Sequence, residues 1–291
     1  MVRDAVYYMI EDGGGWNVKL DYFCVAYLDL LGQSARLDGV ASLPLPVQKD
    51  SRLDEQLRLI FEPTLNFHDW FFKALDDVIN PTGIGRSKER GGPTGDGPVR
   101  HPANRLKYQA FGDSVFLYVP IDFENPSLPD ARLIRGLLLA LGCAMAGMMS
   151  EGEFPRGGVD IHLASDIGYG VYGPAARRAY QLESQVAHYP RIVVGRGLCS
   201  YLRSTGAMFP NLSEFSRMVI GQDTDDLPIL DYLGEAFHQE KLLDPVDVKK
   251  AYEQTRKLLD SFRHGDNTNL RTKYGRLAHY FESRISLWNS K

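Results

Sequence analysis

Tyr22-Phe23-Cys24-Val25-Ala26-Tyr27-Leu28-Asp29-Leu30-Leu31-Gly32 decides the architecture of this chain. Tyr22, Phe23, Val25 and Tyr27 are aromatic or β-branched, so residues 20–29 read as a buried strand. Asp29 closes that strand, and a helix is expected after the Gly32 turn. A second acid stands in a similar place. In Phe111-Gly112-Asp113-Ser114 the pair Gly112-Asp113 reads as a two-residue hairpin turn. Carboxylates presented at strand ends can hold hard divalent cations over a nucleoside triphosphate. Mg²⁺ and Mn²⁺ favour carboxylate and phosphate oxygens. Two such ions per site can clamp the attacking and leaving oxygens of an in-line displacement.

Further elements follow on either side of the hairpin. An amphipathic helix is expected over 53–79, with Pro63 inside it. Residues 81–103 hold Pro81, Gly83, Gly85, Gly91, Gly92, Pro93, Gly95, Gly97, Pro98 and Pro102, a flexible loop. Hairpin strands at 105–111 and 114–119 precede a helix over 130–150 and strands at 157–164 and 167–172. Pro174 suits the first turn of a helix reaching about His188. Arg191 to Val194 is a strand, followed by a helix near 197–204, strands near 216–220 and 228–232, and helices over 246–263 and 267–288. The order strand–helix–strand–strand–helix–strand is that of an α+β, ferredoxin-like core rich in antiparallel pairing. The expected division is an N-terminal segment (1–18), a main domain (19–234) and a C-terminal helical extension (235–291).

The chain has 291 residues, with 44% hydrophobic and 24% charged, as in ordinary globular proteins. A formal net charge of -4 argues against general affinity for nucleic acid or anionic membrane. Cys24, Cys143 and Cys199 form no CxxC and no disulfide framework, and Met1 to Gly15 lacks a signal-peptide pattern, so a cytoplasmic protein is expected. The longest apolar run, Gly136 to Met149, is too short to span a bilayer and reads as a core helix.

The residues offer a site and a plainer alternative at each point. The backbone N–H groups of Leu31, Gly32, Gln33 and Ser34 can receive a phosphate at a helix N-terminus, and the Leu30 carbonyl can add to a metal. Asp29 could equally serve only as a helix cap. Asp113 could be no more than a turn aspartate. In this core the first strand and the hairpin are neighbours, so the two acids would share ions that relieve their repulsion. Arg105, Lys107, Gln109, Phe111 and Asp113 have one parity. They would line one face of a regular strand, either as a base pocket or as a solvated edge.

From about residue 20 to 232 the chain resembles the class III nucleotidyl cyclases. The resemblance lies in Leu28-Asp29-Leu30-Leu31-Gly32, Gly112-Asp113, Arg156-Gly157-Gly158-Val159-Asp160-Ile161-His162, and Tyr172-Gly173-Pro174-Ala175 running on to Leu182-Glu183-Ser184. There are departures. Where purine cyclases carry Asn and Arg on the catalytic helix, this chain has Arg177 and Gln181. At the adenine-reading Lys and its acidic partner it has Gln109 and Gly170. That combination resembles the pyrimidine cyclases of the Pycsar antiphage systems. Tyr189-Pro190-Arg191-Ile192, Pro228-Ile229-Leu230-Asp231-Tyr232-Leu233 and Lys273-Tyr274-Gly275-Arg276-Leu277 resemble them too.

The resemblance implies cyclisation of UTP or CTP to the 3′,5′-cyclic monophosphate, with Mn²⁺ or Mg²⁺ at Asp29, Leu30 and Asp113. It implies Arg177 and Gln181 as catalytic residues, with Gln109, Arg105 and Phe111 toward the base. It further implies a homodimer with composite sites and a downstream effector that binds the cyclic nucleotide. Uracil presents acceptors at O2 and O4 and a donor at N3; the Gln109 amide can answer both types and Arg105 can serve an acceptor, which favours UTP over CTP. A purine cyclase with an unusual pocket and a non-catalytic nucleotide-binding module are the alternatives. Both metal aspartates speak against the second of these, and Gln109 with Gly170 against the first.

Overall fold

The computed structural model describes residues 7–8, 18–30, 38, 51–79, 105–168, 170–262 and 267–289. The helix expected after Gly32, the loop over 81–103, and Leu31, Gly32 and Gln33 lie outside the described residues. Two short strands, β1 (Tyr7–Tyr8) and β2 (Val18–Lys19), pair with each other. The long strand β3 (Asp21–Leu30) is buried on both faces, which is why its sequence is almost continuously apolar. Cys24, Ala26, Leu28 and Leu30 face the main core, while Phe23, Val25 and Tyr27 face a smaller cluster on the opposite side.

Helix α1 (Ser51–Ile79) runs through Pro63 and turns Phe67, Phe71 and Leu75, spaced at i, i+4 and i+8, into the main core. The hairpin β4 (Lys107–Phe111) and β5 (Ser114–Ile121) follows, then α2 (Leu128–Ser150) and β6 (Pro155–Asp166). Ser127 caps α2 by accepting the Asp130 N–H. Among the described residues α2 is the one helix long and apolar enough to cross a membrane, and it is buried on nearly all sides within the fold.

The strands lie in the order β4-β5-β3-β6, every neighbour antiparallel. In this order β5 separates β3 from β4, and β3 separates β5 from β6. Each helix-linked pair is thus split by a strand of the other, the interleaved arrangement expected from the element order. Beyond β6 come β7 (Val171–Tyr172), α3 (Pro174–Gln181) with a π-helical turn over Leu182–Val186, and β8 (Ile192–Val194), which is parallel to β6. Next are α4 (Arg196–Met208), α5 (Pro210–Met218), β9 (Ile220–Gln222) and β10 (Pro228–Leu230). The last two extend the sheet as β6-β8-β10-β9. The result is a mixed, mostly antiparallel eight-stranded sheet packed by helices.

Three expectations are corrected. The strand expected over 167–172 is only Val171–Tyr172, because β6 runs on to Asp166 and the chain bends at Gly168. Gly168 there adopts φ +89, and its N–H is accepted by Asp166. Residues 216–220 end a helix before a strand begins, since Pro210 opens α5 and Phe215 buries its inner face. The helix from Pro174 does not stay α-helical to His188 but widens at Leu182.

The C-terminal elements are α6 (Glu235–Gln239), α7 (Pro245–Ser261) and α8 (Thr268–Trp288). Leu277, Phe281 and Trp288 of α8 join the main core. Asp231, nearly buried after β10, accepts from Arg284 Nη2 at 2.9 Å and from Tyr280 Oη at 2.9 Å. Trp288 Nε1 donates to the Leu233 carbonyl at 2.9 Å. The tail is therefore held to the sheet by both packing and paired charge.

Candidate metal and nucleotide site

Asp29 and Asp113 meet because β3 and β5 pair in a register that sets Asp29 opposite Ser114. The Leu30 N–H donates to the Asp113 carbonyl at 2.9 Å, so the strand end and the hairpin turn are stitched together. Gly112 takes φ +60, a conformation open to glycine at the first central position of a two-residue hairpin turn. Beneath them Tyr27 Oη and Ser114 Oγ are 2.7 Å apart.

Two residues complete this cluster that the sequence reading did not single out as site residues. Arg156 lies opposite Asp29 on β6 and donates to Asp29 Oδ2 through Nη2 at 3.1 Å and Nε at 3.3 Å. Glu183, in the π-helical turn, brings Oε1 to 2.6 Å from Arg156 Nε. The Nε hydrogen points at Asp29, so Glu183 Oε1 is close to charge but receives no hydrogen bond. The register across β3 and β6 was the signal for Arg156. No sequence period announces a π turn, so Glu183 had none.

Burial acts against the charge of these carboxylates. Burial pushes the Asp29 carboxyl up, and Asp113 pushes the same way, against Arg156 and Lys273 of α8. Burial raises Glu183 further, to about 7, outweighing the pull of Arg156. Asp29 and Glu183 both draw on Arg156, and Glu183 Oε1, buried, receives no hydrogen bond. Such a cluster favours an added cation. The donors of Asp29 and Asp113 are hard oxygens suited to Mg²⁺ or Mn²⁺. Among the described residues no group of three or more His, Cys, Asp or Glu forms a metal-ligand set by protein alone. Two carboxylates leave coordination positions for phosphate and water, as Mg²⁺ sites commonly do.

Helix α3 covers the same face of the sheet. Ala175 and Ala179 are buried against it, and Tyr180 meets the Tyr27 ring edge-on at 5.4 Å. Gly158 makes the close approach possible: a Cβ there would lie 2.4 Å from the Ala179 carbonyl oxygen and 2.4 Å from Leu182 Cβ. The two arginines of α3 differ. Arg178 Nε donates to buried Asp160 at 3.1 Å, and Asp160 also accepts the Leu198 N–H at the start of α4. Arg177 is exposed, and its guanidinium forms no ion pair among the described residues. Gln181, one turn on, is half-buried.

Gln109 and Gly170 come together as well. A Cβ on Gly170 would lie 3.2 Å from Gln109 Oε1. Arg105 is not brought to them, which corrects the expected row. It precedes β4, its guanidinium is bound to Asp130, and it also donates to the Pro120 carbonyl. Pro120 lies four residues along β5 from Phe116, the partner of Gln109, or about 13 Å at strand rise. Lys107 pairs with Asp166. Phe111 is 84% exposed at the hairpin tip.

Comparison with known protein families and with characterised proteins returns no match to this chain.

Proposed function

We propose that this chain is a metal-dependent pyrimidine nucleotide cyclase that converts UTP to 3′,5′-cyclic UMP and pyrophosphate. The observation that carries the reading is the meeting of Asp29 and Asp113 at adjacent strand ends, with Gln109 of the same hairpin against Gly170. The interleaved core supports a class III cyclase fold, and the motif resemblance supports a role in antiphage signalling through an effector that binds the cyclic nucleotide.

Asp29, Asp113 and the Leu30 carbonyl would hold Mn²⁺ or Mg²⁺. Bound metal would acidify the ribose 3′-hydroxyl and neutralise the triphosphate. The ribose 3′-oxygen forms the new bond to the α-phosphorus, the bond to the bridging oxygen breaks, and pyrophosphate leaves with that electron pair. The 3′-hydroxyl proton passes to solvent. Arg177, exposed and without an ion pair among the described residues, would come from the second copy and stabilise charge growing on the α-phosphoryl oxygens, and Gln181 on the same helix face would orient ribose or phosphate. Positioning and electrostatics carry most of such a transfer. Gln109 would read the uracil edge, where Gly170 leaves room for its amide.

A homodimer with composite sites is part of this reading. Phe111, Tyr172 and Tyr180 are 84%, 74% and 49% exposed on the elements that carry the site. Aromatic residues left open in this way suit a protein interface.

The test is incubation of purified protein with Mn²⁺ and each of the four ribonucleoside triphosphates, products resolved by mass spectrometry. Cyclic UMP is expected from UTP, and none from Asp29→Ala or Asp113→Ala proteins that remain folded. Cyclic CMP as the main product would reassign the base. No cyclic product from any nucleotide would overturn the reading.

A further inference from the structure

Arg156 gives both Nη2 and Nε to one oxygen of Asp29, at 3.1 and 3.3 Å. These are long for charge-assisted bonds, which centre on about 2.7–2.9 Å. The same Nε sits 2.6 Å from Glu183 Oε1, yet its hydrogen is aimed elsewhere. Glu183 is nearly buried, and that oxygen has no donor. Leaving a buried carboxylate oxygen unsatisfied is costly. A turn of the guanidinium would give Glu183 its hydrogen bonds and leave Asp29 Oδ2 to another cation.

The placement of Glu183 is built rather than incidental. The helix widens at this turn, the Ala187 N–H reaching back to the Leu182 carbonyl at 2.8 Å. Gly158 admits the widened turn, since a Cβ would lie 2.9 Å from the Glu183 nitrogen. Single π turns inside helices are frequent at functional sites.

We propose that Arg156 is an exchangeable stand-in for the divalent cation at Asp29, and that Glu183 takes Arg156 over when the cation binds. The inference rests on the metal site proposed above. Arg156 and Glu183 are positioning residues in it. Cation binding at Asp29 must break the Asp29–Arg156 pair, and a second acceptor already within reach lowers that cost. By linkage, the strength of the Glu183–Arg156 pair then sets the apparent affinity for the cation.

The test is Mn²⁺ binding to metal-free and nucleotide-free protein, with free Mn²⁺ followed by electron paramagnetic resonance. Glu183→Gln should weaken binding by about tenfold, the equivalent of about 1.4 kcal/mol. Arg156→Gln should tighten it. The double variant decides. If Glu183 acts through Arg156, the double variant binds like Arg156→Gln alone. If the two residues act only as independent charges, their effects add and the double variant returns toward wild type, which overturns the exchange.

A second measurement needs no variant protein to fold. In the wild type, the side-chain Nε–H resonance of Arg156 should move to a new position as Mg²⁺ is titrated. An unmoved resonance at saturating Mg²⁺ overturns the exchange while leaving the metal site intact. Wild-type protein that binds neither ion overturns the site and the exchange together.

Discussion

At the scale of single residues, buried Glu183 links stability to pH. Glu183 is held up to about 7, from an ordinary value of 4.5, chiefly by burial. A carboxyl raised in the folded state is ionised more readily in the unfolded chain. Its contribution to stability is therefore complete below pH about 4.5 and is lost as pH rises through about 7. Glu183→Gln should flatten that loss and gain roughly 3 kcal/mol at pH 8 relative to wild type. Denaturant unfolding from pH 5 to 8 in the presence of a chelator checks this. A variant whose stability keeps the wild-type slope would place the titration elsewhere. Gln109 is the residue to test for base choice. Gln109→Ala should cost roughly 1–3 kcal/mol of discrimination, or one to two powers of ten in relative kcat/KM between UTP and CTP. Arg105→Ala should leave the ratio unchanged, because its guanidinium is engaged by Asp130 and the Pro120 carbonyl.

Among the elements, α3 and its π-helical turn are the most sharply constrained. The turn rests on Gly158, where any side chain would meet the Ala179 carbonyl, Leu182 and the Glu183 nitrogen. Gly158→Ala should cost about 2–3 kcal/mol, the upper end of overpacking losses, because the obstacles include backbone atoms. It should also lift Glu183 from Arg156. The fall in the unfolding midpoint gives the first effect. Loss of the pH dependence assigned to Glu183 gives the second. Equal stability of variant and wild type would show that α3 can shift without strain. The end of the turn is tied down separately. Buried Arg191 donates to the Val186 carbonyl at 2.9 Å and pairs with Asp223 and Asp225 on the β9–β10 connection. The π turn is thus fixed from the sheet below and from the connection beyond it.

For the whole molecule, the proposed reading would divide the chemistry between two copies of the chain. Asp113→Ala protein alone and Arg177→Ala protein alone should each be inactive. Mixed, they should regain roughly a quarter of wild-type activity, because half the dimers are mixed and each mixed dimer has one intact site. Subunit exchange is confirmed with differently tagged chains. Mixed dimers without activity would place both residues in one chain's site. The C-terminal helices belong to this scale too. Leu277, Phe281 and Trp288 share the main core, and Arg284 and Tyr280 share Asp231. Lys273 on the same helix acts on the charge of Asp29, so the extension also touches the electrostatics of the site.

By itself the sequence determined β3, the Gly112-Asp113 turn, the helix expected at 130–150 and the interleaved order of the core. Each is a local matter: a buried strand must be apolar, a tight hairpin turn needs glycine at positive φ, and a core helix must be apolar all round. The juxtaposition of Asp29 and Asp113 was legible for the same reason, since strand order follows from element order. What only the tertiary structure decided lies across the sheet. Arg105 kept the parity of Gln109 in sequence but left the row, because parity holds only within a strand and β4 begins at Lys107. Arg156 entered the site through the register of β6 against β3, which no single strand encodes. Glu183 entered through a widened helical turn that exists because Gly158 leaves room beneath it. Its carboxyl titrates high because the packed fold removes water from around it, a consequence of burial that a linear chain does not have.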